Sequence, residues 1–271
     1  MASGPFCAGC GGGTVLNVFT HAIDELGIDP KDIVSVTGIG CSAWIPSPYY
    51  KADTLHTTHG RPIAFATGVK IMKPNMKVIV IAGDGDIAGI GGNHLIHAAR
   101  RNIDLTVFLI NNSIYAMTGG QVAPTTPYGV RATTTPYGNL EPDFDVARLV
   151  VSAGASYVAR WTTYQVFNLL KSMKEAITKK GFSFIEIVSQ CPVSYGKMIG
   201  KHRASDFLKT YKESSIPFSR AEKMSEKELK GKIVIGKFVD RDRPEFTESL
   251  RRLNKERIIK PTAEATEDTR G

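Results

Sequence analysis

The sequence lacks any run of about 18 apolar residues, which argues against a membrane-spanning helix. Its first residues lack the basic stretch and apolar core of a secretory signal. Cysteine is scarce, at four in 271 residues, which is too few for a disulfide scaffold in a chain of this length. We therefore expect a soluble, cytoplasmic protein with no membrane contact.

Aromatic residues are few near the C-terminal end of the chain, where only Phe238 and Phe246 follow Phe218 and where charge is concentrated. Residues 201–271 contain 18 Lys+Arg and 13 Asp+Glu, and the whole chain carries a net charge of +8. Nucleic-acid-binding domains combine such charge with stacking aromatics or a recognition motif. This segment has neither, so we expect no nucleic-acid partner. We predict a folded body over residues 1–196 and a charged C-terminal extension over residues 197–271 that packs on a partner subunit.

Apolar runs alternate with helical patterns through the body. The predicted strands are 33–37, 77–82, 105–111, 156–159 and 182–189. The predicted helices are 14–26, 63–72, 92–101, 144–153 and 164–179. This alternation predicts an α/β fold with a doubly wound, mostly parallel sheet, whose ligands bind at the carboxyl ends of the strands. Residues 118–142, rich in proline and threonine, form a long predicted loop of the kind that serves as a lid or an interface.

A glycine-rich turn, Gly83-Asp84-Gly85-Asp86, follows the second predicted strand. Such a turn presents backbone N–H groups to a phosphate. Two carboxylates beside a diphosphate repel it unless a divalent cation intervenes. The next strand ends in Asn111-Asn112, and oxygen ligands of these types suit Mg²⁺. A Gly-Asp-Gly turn followed 25 to 30 residues later by Asn-Asn is the thiamine diphosphate signature.

An alternative interpretation of the same turn is a dinucleotide fingerprint formed by Gly83, Gly85 and Ala88. The following strand lacks the acidic residue that would bind a ribose hydroxyl, which counts against that alternative. The simplest alternative is an ordinary strand–turn–helix with a solvated acidic turn.

The cysteines comprise one Cys-x-x-Cys pair and two single residues, one of them followed by proline; they are Cys7, Cys10, Cys41 and Cys191. Four thiolates close either a tetrahedral zinc site or a cubane iron–sulfur cluster. Spacing alone also allows four inert thiols.

Six motifs taken together resemble the beta subunits of the 2-oxoacid:ferredoxin oxidoreductases, particularly the 2-oxoglutarate type. In order they are Cys7-Ala8-Gly9-Cys10-Gly11, Gly38-Ile39-Gly40-Cys41-Ser42, His56-Thr57-Thr58-His59-Gly60-Arg61, Gly83-Asp84-Gly85-Asp86, Asn111-Asn112-Ser113-Ile114-Tyr115 and Thr118-Gly119-Gly120-Gln121. The resemblance runs from about Cys7 to Pro192. It implies that residues 1–196 bind thiamine diphosphate, Mg²⁺ and one 4Fe–4S cluster.

The resemblance also implies individual roles. Asp84 and Asn112 would bind Mg²⁺ by side chains and Ile114 by its carbonyl, while the four cysteines would hold the cluster. His59 and Arg61 are the candidate catalytic residues. The implied cofactor-binding residues are Ile39, Gly40, Cys41, Ser42, His59, Gly60, Arg61, Gly83, Asp84, Gly85, Asp86, Asn112, Ala116, Met117 and Thr118.

The implied reaction is oxidative decarboxylation of a 2-oxoacid with coenzyme A, with ferredoxin as electron acceptor, in either direction. Thiamine enzymes also need a carboxylate against the aminopyrimidine, normally from a separate pyrimidine-binding domain. This chain has room for one such α/β domain, so we expect an alpha subunit to supply the other, in a heterodimer or a dimer of heterodimers. Pyruvate or a branched-chain 2-oxoacid is an alternative substrate. A cluster-free thiamine-dependent decarboxylase and a zinc-stabilised NAD- or nucleic-acid-binding module are alternative classes.

Overall fold

An eight-stranded sheet runs through residues 5–259, the part of the chain that the computed structural model describes. Its strands are β1 (Ile33–Thr37), β2 (Asp53–His56), β3 (Lys77–Gly83), β4 (Thr106–Asn111), β5 (Tyr157–Thr162), β6 (Ser183–Val188), β7 (Ser215–Pro217) and β8 (Ile233–Asp240). Their spatial order is β2-β1-β3-β4-β6-β5-β8-β7. The first six strands are parallel to one another, β8 runs antiparallel to β5, and β7 runs parallel to β8.

Helices cover both faces of the sheet. They are α1 (Gly11–Leu26), α2 (Pro62–Met72), α3 (Gly92–Arg101), α4 (Val146–Ala153), α5 (Val166–Thr178), α6 (Tyr195–Met198), α7 (Ala204–Ser214), α8 (Phe218–Ala221), α9 (Glu226–Leu229) and α10 (Phe246–Ile259). Short 3₁₀ turns occupy Pro30–Asp32 and Cys41–Trp44, and a π-helical segment occupies Gly85–Ile90. None of the helices described is long and apolar enough to cross a membrane.

Alternate residues of each central strand point to opposite faces, and each face has its own core. In β3, Val78 and Val80 pack with α2, α3 and α4, whereas Ile79 and Ile81 pack with α1 and α5. The central strands are therefore mostly apolar and buried on both faces, as expected for a parallel sheet covered by helices, although β4, β5 and β6 also bury the polar residues Asn111, Arg160 and Glu186. The predicted doubly wound α/β fold is confirmed.

The topological switch lies between β1 and β3. The connection from β1 leads to β2 on one side of it, and the next connection leads from β2 to β3 on the other side. Ligands of open α/β sheets bind in the crevice outside the carboxyl ends at such a point. Every predicted strand and helix of the body is present, with ends that differ by up to three residues. Helix α1 begins earlier than predicted because Cys10 Sγ accepts the N–H of Gly12 and caps it.

The C-terminal segment departs from the expected extension. Two of its strands, β7 and β8, belong to the sheet, and the side chains of Val234 and Ile235 are buried. The segment thus packs on the chain's own β5, and its packing on a partner stays a prediction. The short edge strand β2 was also not predicted. Residues 118–142 contain no helix or strand, as predicted. Residues 260–271 of the expected extension lie outside the described residues.

Candidate active site

A cleft opens at the switch point, between the ends of β1 and β3. The loop after β1, the turn after β3 and the loop after β4 line it, together with residues near Cys10 and Gln190. Thirteen of the predicted cofactor-binding residues lie on its wall: Ile39, Gly40, Cys41, Ser42, His59, Gly83, Asp84, Gly85, Asp86, Asn112, Ala116, Met117 and Thr118. The topology of the sheet therefore brings together motifs that are far apart along the chain.

Asp86 joins three of these segments. Its carboxylate accepts the backbone N–H of Ile39 at 3.1 Å and also that of Gly60. The side chain is 2% exposed, and burial raises its pKa, while the Gly60 N–H, His59 and the Ile39 N–H act in the opposite direction. A buried carboxylate requires such partners, so Asp86 fixes the loop after β1 and the His59-Gly60 turn against the π-helical segment.

Two glycines after β1 differ sharply in the space around them. A Cβ on Gly38 would lie 1.8 Å from Asp86 Oδ2, so only glycine allows the carboxylate to approach. Gly40 has a φ of +145°, and a Cβ there would have no atom of the described residues within 4 Å. The first glycine closes the loop onto Asp86, and the second leaves the cleft open beside Cys41.

Asp84 is the second buried acid of the cleft, at 3% exposed. It accepts hydrogen bonds from the Gly85 N–H at 2.9 Å, the Ser113 N–H at 2.9 Å and the Thr125 hydroxyl at 2.5 Å. Burial raises its pKa to about 6 despite these three hydrogen bonds, which lower it. The carboxylate thus joins the turn after β3 to the loop after β4.

The loop after β4 carries the other predicted magnesium ligands. Asn112 lies on the cleft wall with Asp84, and its Oδ1 accepts the N–H of Ile114 at 3.2 Å. Ser113, between them, has a φ of +61°, a strained value for a residue with a side chain. Carboxylate and amide oxygens in a cleft that also offers glycine N–H groups fit a Mg²⁺–diphosphate ligand.

The two candidate catalytic residues occupy different places. His59 lies on the cleft wall, with its ring centroid 5.9 Å from that of Tyr115. Arg61 is not on that wall, and its guanidinium donates to the Gly60 carbonyl at 3.3 Å and to the Ile90 carbonyl at 3.5 Å. Gly60 is likewise outside the wall, where it has a φ of +78° and donates to Asp86.

The four cysteines converge beside the cleft. Cys10 and Cys41 lie on its wall, Cys191 packs against Ile114, and Cys7 is exposed at the surface. Burial, followed by the thiols of Cys10, Cys191 and Cys7 in that order, raises the pKa of Cys41 to about 11. All four are free thiols that lie within electrostatic range of one another.

As the side chains are placed, no three His, Cys, Asp or Glu residues within 5–259 stand close enough together to hold a single metal ion. Four thiols are a donor set that both tetrahedral zinc sites and cubane iron–sulfur clusters use.

Several wall or supporting residues were not predicted. They are Phe6, Gly12, Ile110, Tyr115, Thr125, Ser189 and Gln190. The Tyr115 hydroxyl donates to the Gly85 carbonyl at 3.1 Å, and its ring fills the space that a Cβ on Gly85 would occupy. The position of Gln190, next to Cys191, was a usable sequence signal. Thr125 gave none, because nothing in its proline-rich loop indicates a contact with Asp84.

Known proteins are similar to this chain in sequence and in fold. Residues 38–187 match the family described as thiamine pyrophosphate enzyme, C-terminal TPP binding domain. The chain is 57% identical over 248 residues to 2-oxoglutarate synthase subunit KorB of Methanocaldococcus jannaschii, covering 92% of each protein. It is 44% identical to a 2-oxoacid:ferredoxin oxidoreductase subunit beta of Saccharolobus solfataricus, over 69% of this chain and 62% of that one.

A solved structure agrees with these sequence matches. It is titled 2-oxoglutarate:ferredoxin oxidoreductase from Magnetococcus marinus with 2-oxoglutarate, coenzyme A and succinyl-CoA bound. Its TM-score is 0.84 at 32% identity, and the match covers 97% of this chain and 89% of that one.

The fold and the cleft are therefore those of a thiamine diphosphate-binding domain. The chain belongs to the beta-subunit family of 2-oxoacid:ferredoxin oxidoreductases that includes the KorB subunits of 2-oxoglutarate synthase. The predicted family and the predicted oxidoreductase class are confirmed.

The conservative variant Asp86→Asn should destabilise the protein even without any ligand. The side-chain amide has one oxygen, which can accept one of the two backbone N–H groups, and its NH₂ then faces the other N–H. Leaving that buried N–H without an acceptor should lower the free energy of unfolding by about 1–3 kcal/mol. Chemical denaturation of the ligand-free protein measures this cost. Asp24→Asn, exposed on α1, is the control and should change stability by less than about 0.5 kcal/mol. Equal stability of Asp86→Asn and wild type would contradict the structural role of Asp86.

Proposed function

We propose that this chain is the catalytic beta subunit of a 2-oxoglutarate:ferredoxin oxidoreductase. With an alpha subunit it converts 2-oxoglutarate, coenzyme A and two oxidised ferredoxins to succinyl-CoA, CO₂, two reduced ferredoxins and a proton. The reaction also runs in reverse. The observation that carries the proposal is the convergence of the acidic turn, the asparagine loop and four cysteines at one edge of the sheet.

In this proposal the cleft holds thiamine diphosphate through Mg²⁺. Asp84 and Asn112 bind the ion by side-chain oxygens and Ile114 by its carbonyl. Gly85, Asp86 and the segment 116–118 surround the diphosphate, with Asp86 acting through the backbone groups that it fixes. When bound, thiamine diphosphate supplies the electron sink for loss of CO₂ from the 2-oxoacid.

The apolar wall residues favour this chemistry. Ile39 and Met117 line the cleft and are about half exposed, and Gly40 leaves room beside them. Once a partner covers this mouth, water is excluded and electrostatic interactions inside strengthen. His59, on the same wall, is placed to orient the substrate or transfer a proton.

Cys7, Cys10, Cys41 and Cys191 hold one 4Fe–4S cluster in this proposal. When bound, the cluster accepts electrons one at a time from the cleft. Cys41 faces the cleft and Cys7 faces the surface, so the cysteine set spans the path from substrate to solvent. These positions support transfer to an external carrier.

The surface beside Cys7 suits an acidic carrier such as ferredoxin. A Cβ on Gly9 would lie 3.0 Å from the Cβ of Ala204, so the cysteine loop adjoins the start of α7. His202 and Arg203 directly precede that helix and are exposed. Positive charge around the exit accelerates encounter with a negative partner.

An alpha subunit is part of the proposal because large apolar side chains remain exposed around the cleft and in the loop of residues 118–142. Tyr137 is 99% exposed and Leu140 is 81% exposed. Apolar exposure of this extent is typical of a surface that another subunit covers. The same subunit would supply the pyrimidine-binding domain and the carboxylate that this chain lacks within its described residues.

Removal of the Asp84 carboxylate should abolish Mg²⁺-dependent binding of thiamine diphosphate. The complex of this chain with its alpha subunit is stripped of metal and cofactor, and binding is measured by calorimetry with and without Mg²⁺. We expect wild type to bind when Mg²⁺ is present and Asp84→Ala to lose at least about 100-fold in affinity, since a direct metal ligand is removed. Asp32→Ala, exposed before β1, is the control. Binding by Asp84→Ala at wild-type affinity would refute the assignment of the site.

Turnover separates the candidate substrates. The anaerobic complex should reduce ferredoxin in the presence of both 2-oxoglutarate and coenzyme A. We expect kcat/KM for 2-oxoglutarate to be at least about 100-fold higher than for pyruvate or a branched-chain 2-oxoacid, because a site that pairs a distal carboxylate rejects analogues without one. A preference for pyruvate would replace the proposed substrate. Decarboxylation without ferredoxin reduction would favour the cluster-free decarboxylase.

A further inference from the structure

A buried chain of polar side chains leads from the C-terminal half of the sheet to the loop after β4. Arg160 Nε on β5 donates to Glu186 Oε2 on β6 at 2.8 Å. Glu186 Oε1 accepts from Asn111 Nδ2 at 2.7 Å. Asn111 Oδ1 then accepts the N–H of Ser113 at 3.0 Å. The three side chains belong to residues that are at most 9% exposed, so water does not substitute for these partners.

The hydrogen bonds between these three side chains have a fixed direction. A guanidinium only donates, and an ionised carboxylate only accepts. Glu186 therefore forces the amide nitrogen of Asn111 toward itself and the amide oxygen toward Ser113. With the opposite orientation, an NH₂ group would face the Ser113 N–H. That N–H, which also donates to Asp84 Oδ2 at 2.9 Å, would lose its second acceptor at a residue with a strained φ of +61°.

Arg160 is itself fixed from three sides. Its Nη2 donates to Asp145 at 2.5 Å, its Nη1 donates to the Val234 carbonyl at 3.4 Å, and its guanidinium lies 5.3 Å from the ring centroid of Phe238. Asp145 caps α4 by accepting the Arg148 N–H. The guanidinium is thus held by the residue that caps α4 and by β8.

We propose that Glu186, oriented by Arg160, is a positioning residue for the metal-binding loop. Its carboxylate sets the direction of the Asn111 amide, which holds Ser113 so that Asn112 and the Ile114 carbonyl face Asp84. This inference rests on the proposed function, in which those groups bind Mg²⁺. It also gives β8 a role in the cofactor site, although the strand lies three strands away from β4.

Two single variants and their combination test the direction of the hydrogen bonds. In Glu186→Gln, the amide oxygen accepts from Arg160, so its NH₂ faces Asn111 and turns the Asn111 amide over. In Asn111→Asp, two carboxylates face each other with no donor between them. In the double variant, the new amide at position 186 donates to the new carboxylate at position 111. The other oxygen of that carboxylate again accepts the Ser113 N–H, and the net charge equals that of wild type.

The readout is the Mg²⁺ concentration that gives half-maximal binding of thiamine diphosphate, measured on the complex with the alpha subunit. Each single variant should raise it by about 10–100-fold, the usual effect of losing an outer partner of a metal ligand. The double variant should return to within about threefold of wild type. Glu175→Gln, on α5, removes a carboxylate that contacts Tyr157 and Lys237 instead of this loop, and is the matched control.

Unchanged Mg²⁺ requirements in both singles, or a double variant as impaired as the worse single, would overturn the inference. A general loss of packing would lower the melting temperature of ligand-free protein without this pattern of rescue, and that result would also overturn it. If a single variant does not fold, the double variant alone tests the inference. It must then fold and bind thiamine diphosphate at the Mg²⁺ concentration that wild type requires, because its hydrogen bonds are restored. Failure of wild type to bind thiamine diphosphate with Mg²⁺ would instead refute the proposed function.

Discussion

The burial of two carboxylates at the end of β3 is the constraint on which the site depends. A buried carboxylate is stable only when donors surround it, and here most of those donors are backbone N–H groups of other segments. Asp86 accepts hydrogen bonds from the loop after β1 and from the His59-Gly60 turn, and Asp84 accepts one from the loop after β4. The walls of the cleft therefore form around the two acids at the start of the π-helical segment.

The sheet explains why these acids lie where they do. Parallel strands deliver their carboxyl ends to one edge, and the switch between β1 and β3 leaves a crevice there that neither connection fills. The long loop between β4 and α4 then returns to the same edge, where Thr125 donates to Asp84 and Thr126 donates to the Ser113 carbonyl. A segment without helix or strand is thus ordered by hydrogen bonds to the site that it borders.

Sequence patterns predicted the central strands because their apolar runs report burial on both faces, a local property. The resemblance to the family implied the motif residues of the cleft wall, and they lie together because strand ends of a parallel sheet share an edge. Sequence patterns did not predict β8, whose Ile233–Ile235 run is followed by Gly236 and Lys237 inside a strongly charged segment and whose pairing with β5 shifts register between Val158 and Ala159. Contacts such as Thr125 with Asp84, or Glu186 with Asn111, depend on the tertiary fold and leave no local pattern.

The metal and cofactor content of the complex tests the central claim most directly. This chain and its alpha subunit are purified together under anaerobic conditions, and iron, acid-labile sulfide, zinc and thiamine diphosphate are determined per beta chain. The account predicts about four irons and four sulfides from one cubane cluster, with one thiamine diphosphate. Thiamine diphosphate without iron would contradict the role of the cysteines, and zinc without thiamine diphosphate would contradict the whole account.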